Sequence, residues 1–318
     1  WYYEGRFWSE MPDLNLENED VRNELTEIAK YWLDLGVAGF RLDAAKEFYS
    51  GNDSANIEVL SWYREMITGI KEDAYLVAEV WTDVNTYGKY YQSGIDSLFN
   101  FAFANSDGLI ANTVKGNSKT INALVYGSSV AALDEKFKEY NPNYVDAPFY
   151  TNHDMARSAG YYSGEDRVSQ TKIAGALHLF MSGATFVYYG EELGMKGSGK
   201  DENKRAPMQW SVDKNAEGMC KGPDYIDPIK MINGSLEEQM EDPYSIYQYY
   251  KKALQIKNQN PEIARGITTF VEELSNERVC VLKKVYMEKE ILLIYNISSE
   301  ESTLDLSEIT INGSKIGE

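Results

Sequence analysis

The sequence predicts an α/β protein: a (β/α)₈ barrel, legible in about five of its eight strands, followed by a small antiparallel β domain. Three observations carry this. Short apolar runs alternate with amphipathic helical stretches, acidic residues stand at the C-terminal ends of successive runs, and from Gly266 onward the pattern changes to strands separated by polar turns. Repeated βα units pack as a parallel sheet under helices, and such barrels build their sites on the rim where the strands end.

Residues 1–20 are aromatic and then acidic, without periodicity, and read as a loop that ends in a helix cap. Val21, Leu25, Ile28, Ala29, Trp32 and Leu33 then recur at spacings of three and four, marking an amphipathic helix closed by Gly36. Val37, Ala38, Phe40 and Leu42 form a short apolar run of the kind a parallel strand carries when both faces are covered, and Arg41, Asp43 and Lys46 crowd its C-terminal end. A loop from Glu47 to Ala55 leads to a second helix with Ile57, Leu60, Tyr63, Ile67 and Ile70 on one face. Ala74 to Val80 is the next buried-strand pattern, and Glu79 again places an acid at its end.

Weaker strands are expected near Ser97 to Phe101 and at Ala147 to Tyr150, the second running into Thr151-Asn152-His153-Asp154. A helix over Ser169 to Met181 precedes a strand from Ala184 to Tyr189. Residues 191–235 are rich in Gly, Lys, Asp and Asn and read as a long loop region, and a further helix is predicted from Pro243 onward. The strands of the C-terminal β domain are expected in Thr268–Leu274, Arg278–Met287 and Lys289–Ser298.

Composition narrows the function. Lys plus Arg number 31 against 50 for Asp plus Glu, a formal charge of −19, which repels a polyphosphate chain and argues against nucleic acid as partner. No run of about eighteen apolar residues is present, so no membrane span is expected. The two cysteines, Cys220 and Cys280, are too few for a disulfide framework and read as free thiols. With two histidines, a transition-metal centre has few ligands to draw on, and His178, inside the apolar stretch Ile173–Phe180, is expected in the core.

Three carboxylates, Asp43, Glu79 and Asp154, therefore stand at separate strand ends. An Arg two residues before an Asp is, alone, an ion pair at a strand end. Cleaving an acetal, however, needs two carboxyl groups with opposite tasks, one ionised to meet the anomeric carbon and one protonated to donate to the leaving oxygen. Arg41 beside Asp43 suits the first, because a guanidinium favours the carboxylate. Glu79 lies among Val77, Ala78, Val80 and Trp81, and burial there suits the second.

The motifs in order resemble those of the alpha-amylase family of retaining glycoside hydrolases: MPDLN at 11–15, GFRLDAA at 39–45, AEVW at 78–81 and TNHD at 151–154, with TFVYYGEELGM at 185–195 and RAPMQW at 205–210 in agreement. The resemblance implies a partial TIM barrel, strands four to eight, over residues 1–265, and a small antiparallel β-sandwich domain, incomplete, over 266–318. It implies Asp43 as nucleophile, Glu79 as general acid/base and Asp154 as the third acid, gripping sugar hydroxyls. Arg41 would orient Asp43, His153 and Asn152 would contact the sugar at the cleavage point, and Lys46 would lie on the leaving-group side. Trp81 and the tyrosines near Tyr188 would stack on sugar faces or pack, and Arg157 would pair with a site carboxylate.

The family's first motif, an Asp followed by Asn-His, is absent, with the first three barrel strands and the inserted loop domain, so a preceding segment or second fragment is expected to complete the fold. A calcium ion is an expected cofactor, its site largely in that segment; Glu47 stands where many amylases have His, a change that matters little if the ligand there is a backbone carbonyl and whose acidic side chain would even help. The MPDLN motif resembles the intermediary subgroup between oligo-1,6-glucosidases and neopullulanases. The expected substrate is an α-1,4-glucan, starch or maltooligosaccharide. The alternatives are an exo-acting α-glucosidase or oligo-1,6-glucosidase, a neopullulanase or transglycosylase, and an amylase-like binding subunit without catalysis.

Overall fold

The computed structural model describes residues 2–116, 120–307 and 315. It divides into two compact units, Trp1–Phe99 with Glu135–Ala147, and Asn100–Asp134 with Pro148–Glu318.

In the first unit, helix α1 (Glu19–Asp34) starts at Asn18, whose side chain accepts the amides of Asp20 and Val21, and the acidic first turn suits the positive end of the helix dipole. Its apolar stripe is only partly covered: Ala29 and Leu33 are buried, while Ile28 and Trp32 stay about half exposed. Helix α2 (Asp53–Ile70), capped by Asn52, buries Asn56, Val59, Leu60 and Ile67 along one line.

Strands β1 (Gly39–Leu42), β2 (Tyr75–Ala78) and β3 (Ser97–Leu98) form a parallel sheet in that order. The expectation that β1 is covered on both faces does not hold in this sheet. It is an edge strand and only half-buried, whereas Leu76, Val77 and Ala78 of β2 are almost wholly buried. The two backbones approach so closely at Gly39 that a Cβ there would lie 1.8 Å from the Tyr75 carbonyl oxygen, so glycine alone fits. Phe99 and Ala147 add one parallel bridge. Tyr87, Tyr91 and Phe137 pack ring against ring beside it, with Tyr91 and Phe137 centroids 5.2 Å apart.

In the second unit, the strands expected around 147–150 and 184–189 contribute a single parallel bridge, Phe149 to Phe186. The predicted helix at 169–181 is present as Arg167–Leu179, and the later one as Ile246–Gln259, capped by Ser245. Helices Leu109–Lys115 and Ala123–Tyr140 were not predicted, although Tyr126, Val130, Leu133 and Phe137 of the second recur at spacings of three and four. The second carries Gly127 for a packing reason, since a Cβ there would meet Phe270 and Cys280 of the C-terminal sheet at 2.6–2.7 Å. Residues 191–235 are mostly irregular, as expected, apart from short turns of helix and a two-residue antiparallel ladder, β4 (Met195–Lys196) with β5 (Lys230–Met231).

The C-terminal strands β6 (Ile267–Phe270), β7 (Val279–Tyr286) and β8 (Lys289–Asn296) are antiparallel, in the order β6-β7-β8. Cys280, Leu282, Leu293 and Tyr295 share one apolar cluster with Tyr126, Leu177 and Ile263, so this sheet is built onto the helices of its unit. The expected β domain runs to 318, but residues 308–314 and 316–318 lie outside the described ones. Both cysteines are unpaired, Cys220 exposed and Cys280 buried, and among the described residues no helix is long and apolar enough to cross a membrane.

Candidate active site

In the first unit the ladder of β1 and β2 sets the geometry. Leu42 pairs with Ala78, so the next residues along both strands, Asp43 and Glu79, leave the sheet at the same level on neighbouring strands. Parallel neighbours run about 4.8 Å apart. The ladder continues past the strand ends, for the Glu79 amide donates to the Leu42 carbonyl at 2.9 Å and the Ala45 amide to the Glu79 carbonyl at 2.8 Å. Between the two acids Ala44 adopts the left-handed region, φ 45° and ψ 41°, a strained turn for a residue with a Cβ and one that recurs at functional sites.

Arg41 serves both acids. Its Nη1 donates to Asp43 Oδ1 at 2.6 Å and its Nη2 donates to Glu79 Oε2. The carboxylates are solvated unequally: the Asp43 side chain is 75% exposed and that of Glu79 is 10% exposed. Apolar flanks therefore bury Glu79 as expected, but a cation also faces it, which its neighbours in sequence did not indicate.

Lys46 is held from behind. Buried Asn56 donates to the Lys46 carbonyl and accepts the Tyr49 amide at 2.7 Å, which fixes the turn after the strand. Lys46 Nζ lies 3.6 Å from Glu47, and Arg6 donates to the same carboxylate at 2.5 Å. This hydrogen bond with Arg6 holds the Glu47 carboxyl below its usual range. Glu47 is thus engaged by two cations of the protein. Among the described residues no group of three or more His, Cys, Asp or Glu is gathered to hold an ion. Trp81 is half exposed.

In the second unit Asn152 turns its side chain onto the backbone, accepting the amides of Asp154 at 2.9 Å and Met155 at 3.1 Å. It shapes the turn that presents the acid. Asp154, 36% exposed at its side chain, has His153 Nε2 at 3.2 Å from Oδ2 and receives Arg205 Nη2 at 3.1 Å on Oδ1. Arg205 also donates through Nε to the His153 carbonyl at 3.2 Å, so it clamps both the turn and the acid. Sequence reasoning singled out RAPMQW but gave Arg205 no task; its lead position in that motif was the available signal.

Arg157 does not take the role expected of it. It is 1% exposed, donates to the carbonyls of Tyr189 and Ala206, and lies over the rings of Tyr188 and Tyr189 at 4.8 and 4.6 Å. A guanidinium so enclosed organises the turn around Gly190. The hydroxyls of the two tyrosines donate to the Lys204 and Ala206 carbonyls, Tyr188 partly buried and Tyr189 exposed. Behind the Asp154 strand, Thr151 donates to buried Glu191, whose carboxyl is pushed up to about 8 by burial. His178 sits in the core as expected, its Nε2 3.2 Å from the Pro148 carbonyl, and burial lowers it to about 3.

Residues 1–266 match the family described as alpha amylase, catalytic domain. The chain is 36% identical over 313 residues to alpha-amylase 3 of Dictyoglomus thermophilum, covering 96% of this chain and 59% of that protein. It is 27% identical to a 4-alpha-glucanotransferase of Thermotoga maritima, over 94% of this chain and 64% of that one. Among solved structures, Eubacterium rectale Amy13B superposes with a TM-score of 0.94 at 45% identity, over 98% of this chain and 60% of its own. The chain thus spans about 60% of the length of these relatives.

Proposed function

Because the chain belongs to the alpha-amylase catalytic-domain family, a TIM-barrel fold, we propose that it carries the acids of a retaining glycoside hydrolase that cleaves α-1,4-glucosidic bonds in starch and maltooligosaccharides. The observation that carries this reading is the pair Asp43 and Glu79, in register at the ends of adjacent parallel strands and bridged by one guanidinium. A strand spacing of about 4.8 Å is compatible with the carboxyl separation of about 5–5.5 Å used in double displacement.

In this reading Asp43, the exposed member, attacks the anomeric carbon while Glu79, the enclosed member, gives a proton to the departing glycosidic oxygen. The C–O bond to the leaving sugar breaks and an ester to Asp43 forms. Glu79, now a carboxylate, takes a proton from water, and the hydroxide attacks the same carbon, releasing Asp43 and restoring the acid. Asp154, with His153, holds sugar hydroxyls as the ring flattens, and Arg205 aims Asp154. Lys46 and Trp81 contact the leaving-group side. A sugar hydroxyl in place of water would give transfer, the activity named for the Thermotoga maritima relative.

The finer architecture belongs to the same proposal: residues 1–265 as strands four to eight of the barrel and 266–318 as part of a β-sandwich domain. The parallel order of β1, β2 and β3 and the further parallel bridges support the first, and the antiparallel β6-β7-β8 sheet supports the second. Product analysis on amylose tests the activity. A spread of short oligomers supports endo hydrolysis; glucose alone would replace it with exo cleavage, and chains longer than the starting ones with transfer.

A further inference from the structure

A cavity of about 340 Å³ lies within the second unit, with Arg157, Tyr161, Lys196, Asn203, Asp227 and Lys230 in its wall. Its size is at the small end for small-molecule sites. Its charge is unusual for this chain.

Lys196 and Lys230 are direct cross-strand partners in the β4–β5 ladder, so their side chains leave the same face of a two-residue sheet. Like charges placed directly opposite each other destabilise a ladder. Neither lysine has a carboxylate within ion-pair distance among the described residues. The carboxylate on this wall, Asp227, is already taken: it accepts Lys200 at 2.8 Å and Asn203 Nδ2 at 2.8 Å, and its amide donates back to Asn203 at 3.0 Å. Arg157 adds a third cation, 1% exposed, whose hydrogen bonds go to backbone carbonyls and whose Nε is buried with no partner among the described residues. Lys230 acts on Asp227, and Arg157 on Glu191 and Glu192, through space, but among the described residues the two lysines have no carboxylate of their own at hydrogen-bond distance, in a chain of formal charge −19.

We propose that this cavity binds a small oxyanion of the phosphate class, held between Lys196 and Lys230 with Arg157 as the fixed positive wall behind it. A dianion placed there accepts charge-assisted hydrogen bonds from both ammonium groups and cancels their repulsion. The phosphate is either free or the head of a phosphorylated sugar, and the shared chemistry is the dianionic oxygen cluster.

The test is calorimetric titration of the protein with inorganic phosphate, glucose 6-phosphate and maltose at constant ionic strength balanced with chloride. Saturable phosphate binding is expected, weakened about tenfold or more in Lys196→Met and in Lys230→Met and retained in Lys196→Arg, as lost charge-assisted bonds imply. Tighter binding of glucose 6-phosphate than of phosphate would assign the site to a phosphorylated sugar, and equal binding would assign it to the free ion. Absence of binding by both anions, binding that the two Met variants leave unchanged, or maltose binding equal to phosphate binding overturns the proposal. The Met variants should also melt no lower than wild type in phosphate-free buffer, because each removes one of two opposed charges; a marked drop contradicts the repulsion on which the site rests.

Discussion

Arg41 reaches from β1 across to Glu79 at the end of β2 while its other terminal nitrogen holds Asp43 at 2.6 Å. One guanidinium therefore sets the separation and relative aim of both acids. Lysine offers a point charge where Arg offers a fork, so it cannot make the two contacts together. Arg41→Lys is expected to lower kcat/KM by roughly 10- to 100-fold, the equivalent of about 1.5–3 kcal/mol for a hydrogen bond to a charged group, and Arg41→Ala at least as much. Steady-state kinetics on maltooligosaccharides, with circular dichroism to confirm the fold, check this.

Arg205 grips Asp154 from a half-exposed position, so its contribution is discounted for solvent screening. Arg205→Ala should reduce kcat/KM by about fivefold, corresponding to about 1 kcal/mol, with Arg205→Lys recovering part of the loss because the charge returns without the second contact to the His153 carbonyl. An unchanged kcat/KM in Arg205→Ala would remove it from the site.

Gly39 is predicted to be irreplaceable for steric reasons alone. Gly39→Ala puts a methyl 1.8 Å from the Tyr75 carbonyl oxygen, and the strands must separate where the ladder leads to the two acids. Loss of stability on the scale of core overpacking, about 1–3 kcal/mol or more, together with loss of activity, is the expected result in a chemical melt and an activity assay.

Two buried groups give the pH dependence of stability its shape. His178 is lowered to about 3 in the fold, so its neutral form is stabilised, and that stability is present above the ordinary histidine range and lost as pH falls from about 6.5 towards 3. Glu191 is raised to about 8, so its contribution is present below about 4.5 and lost as pH rises towards 8. Melting temperatures across this range should fall less steeply on the acid side in His178→Gln, once corrected for the altered core, and less steeply between pH 5 and 8 in Glu191→Gln.

Much of the first unit was legible because its signals are local. The cap before α1, the periodic stripes of α1 and α2 and the acids after β1 and β2 all follow from neighbours in sequence, whereas the cap at Asn52 fell inside the expected loop. What was not legible depends on partners far along the chain. Arg41 meets Glu79 across 38 positions, and Arg205 meets Asp154 across 51. Arg157 looked like a site residue from its place after TNHD, yet contacts to Tyr189 and Ala206 bury it. The helix Ala123–Tyr140 was passed over although Tyr126, Val130, Leu133 and Phe137 keep helical spacing, because Gly127, Ser128 and Ser129 between them are poor helix formers, and only the sheet packed on Gly127 gives its reason.

The account rests on Asp43 as the nucleophile. The direct measurement is mass spectrometry of Glu79→Gln after exposure to α-maltosyl fluoride, whose leaving group departs without an acid. Without the carboxylate of Glu79 to activate water, the ester should accumulate. One maltosyl unit attached to the peptide that bears Asp43, and absent in the Asp43→Asn, Glu79→Gln double variant, is the predicted result. An adduct on another residue, or none while the fluoride is still consumed, would contradict it.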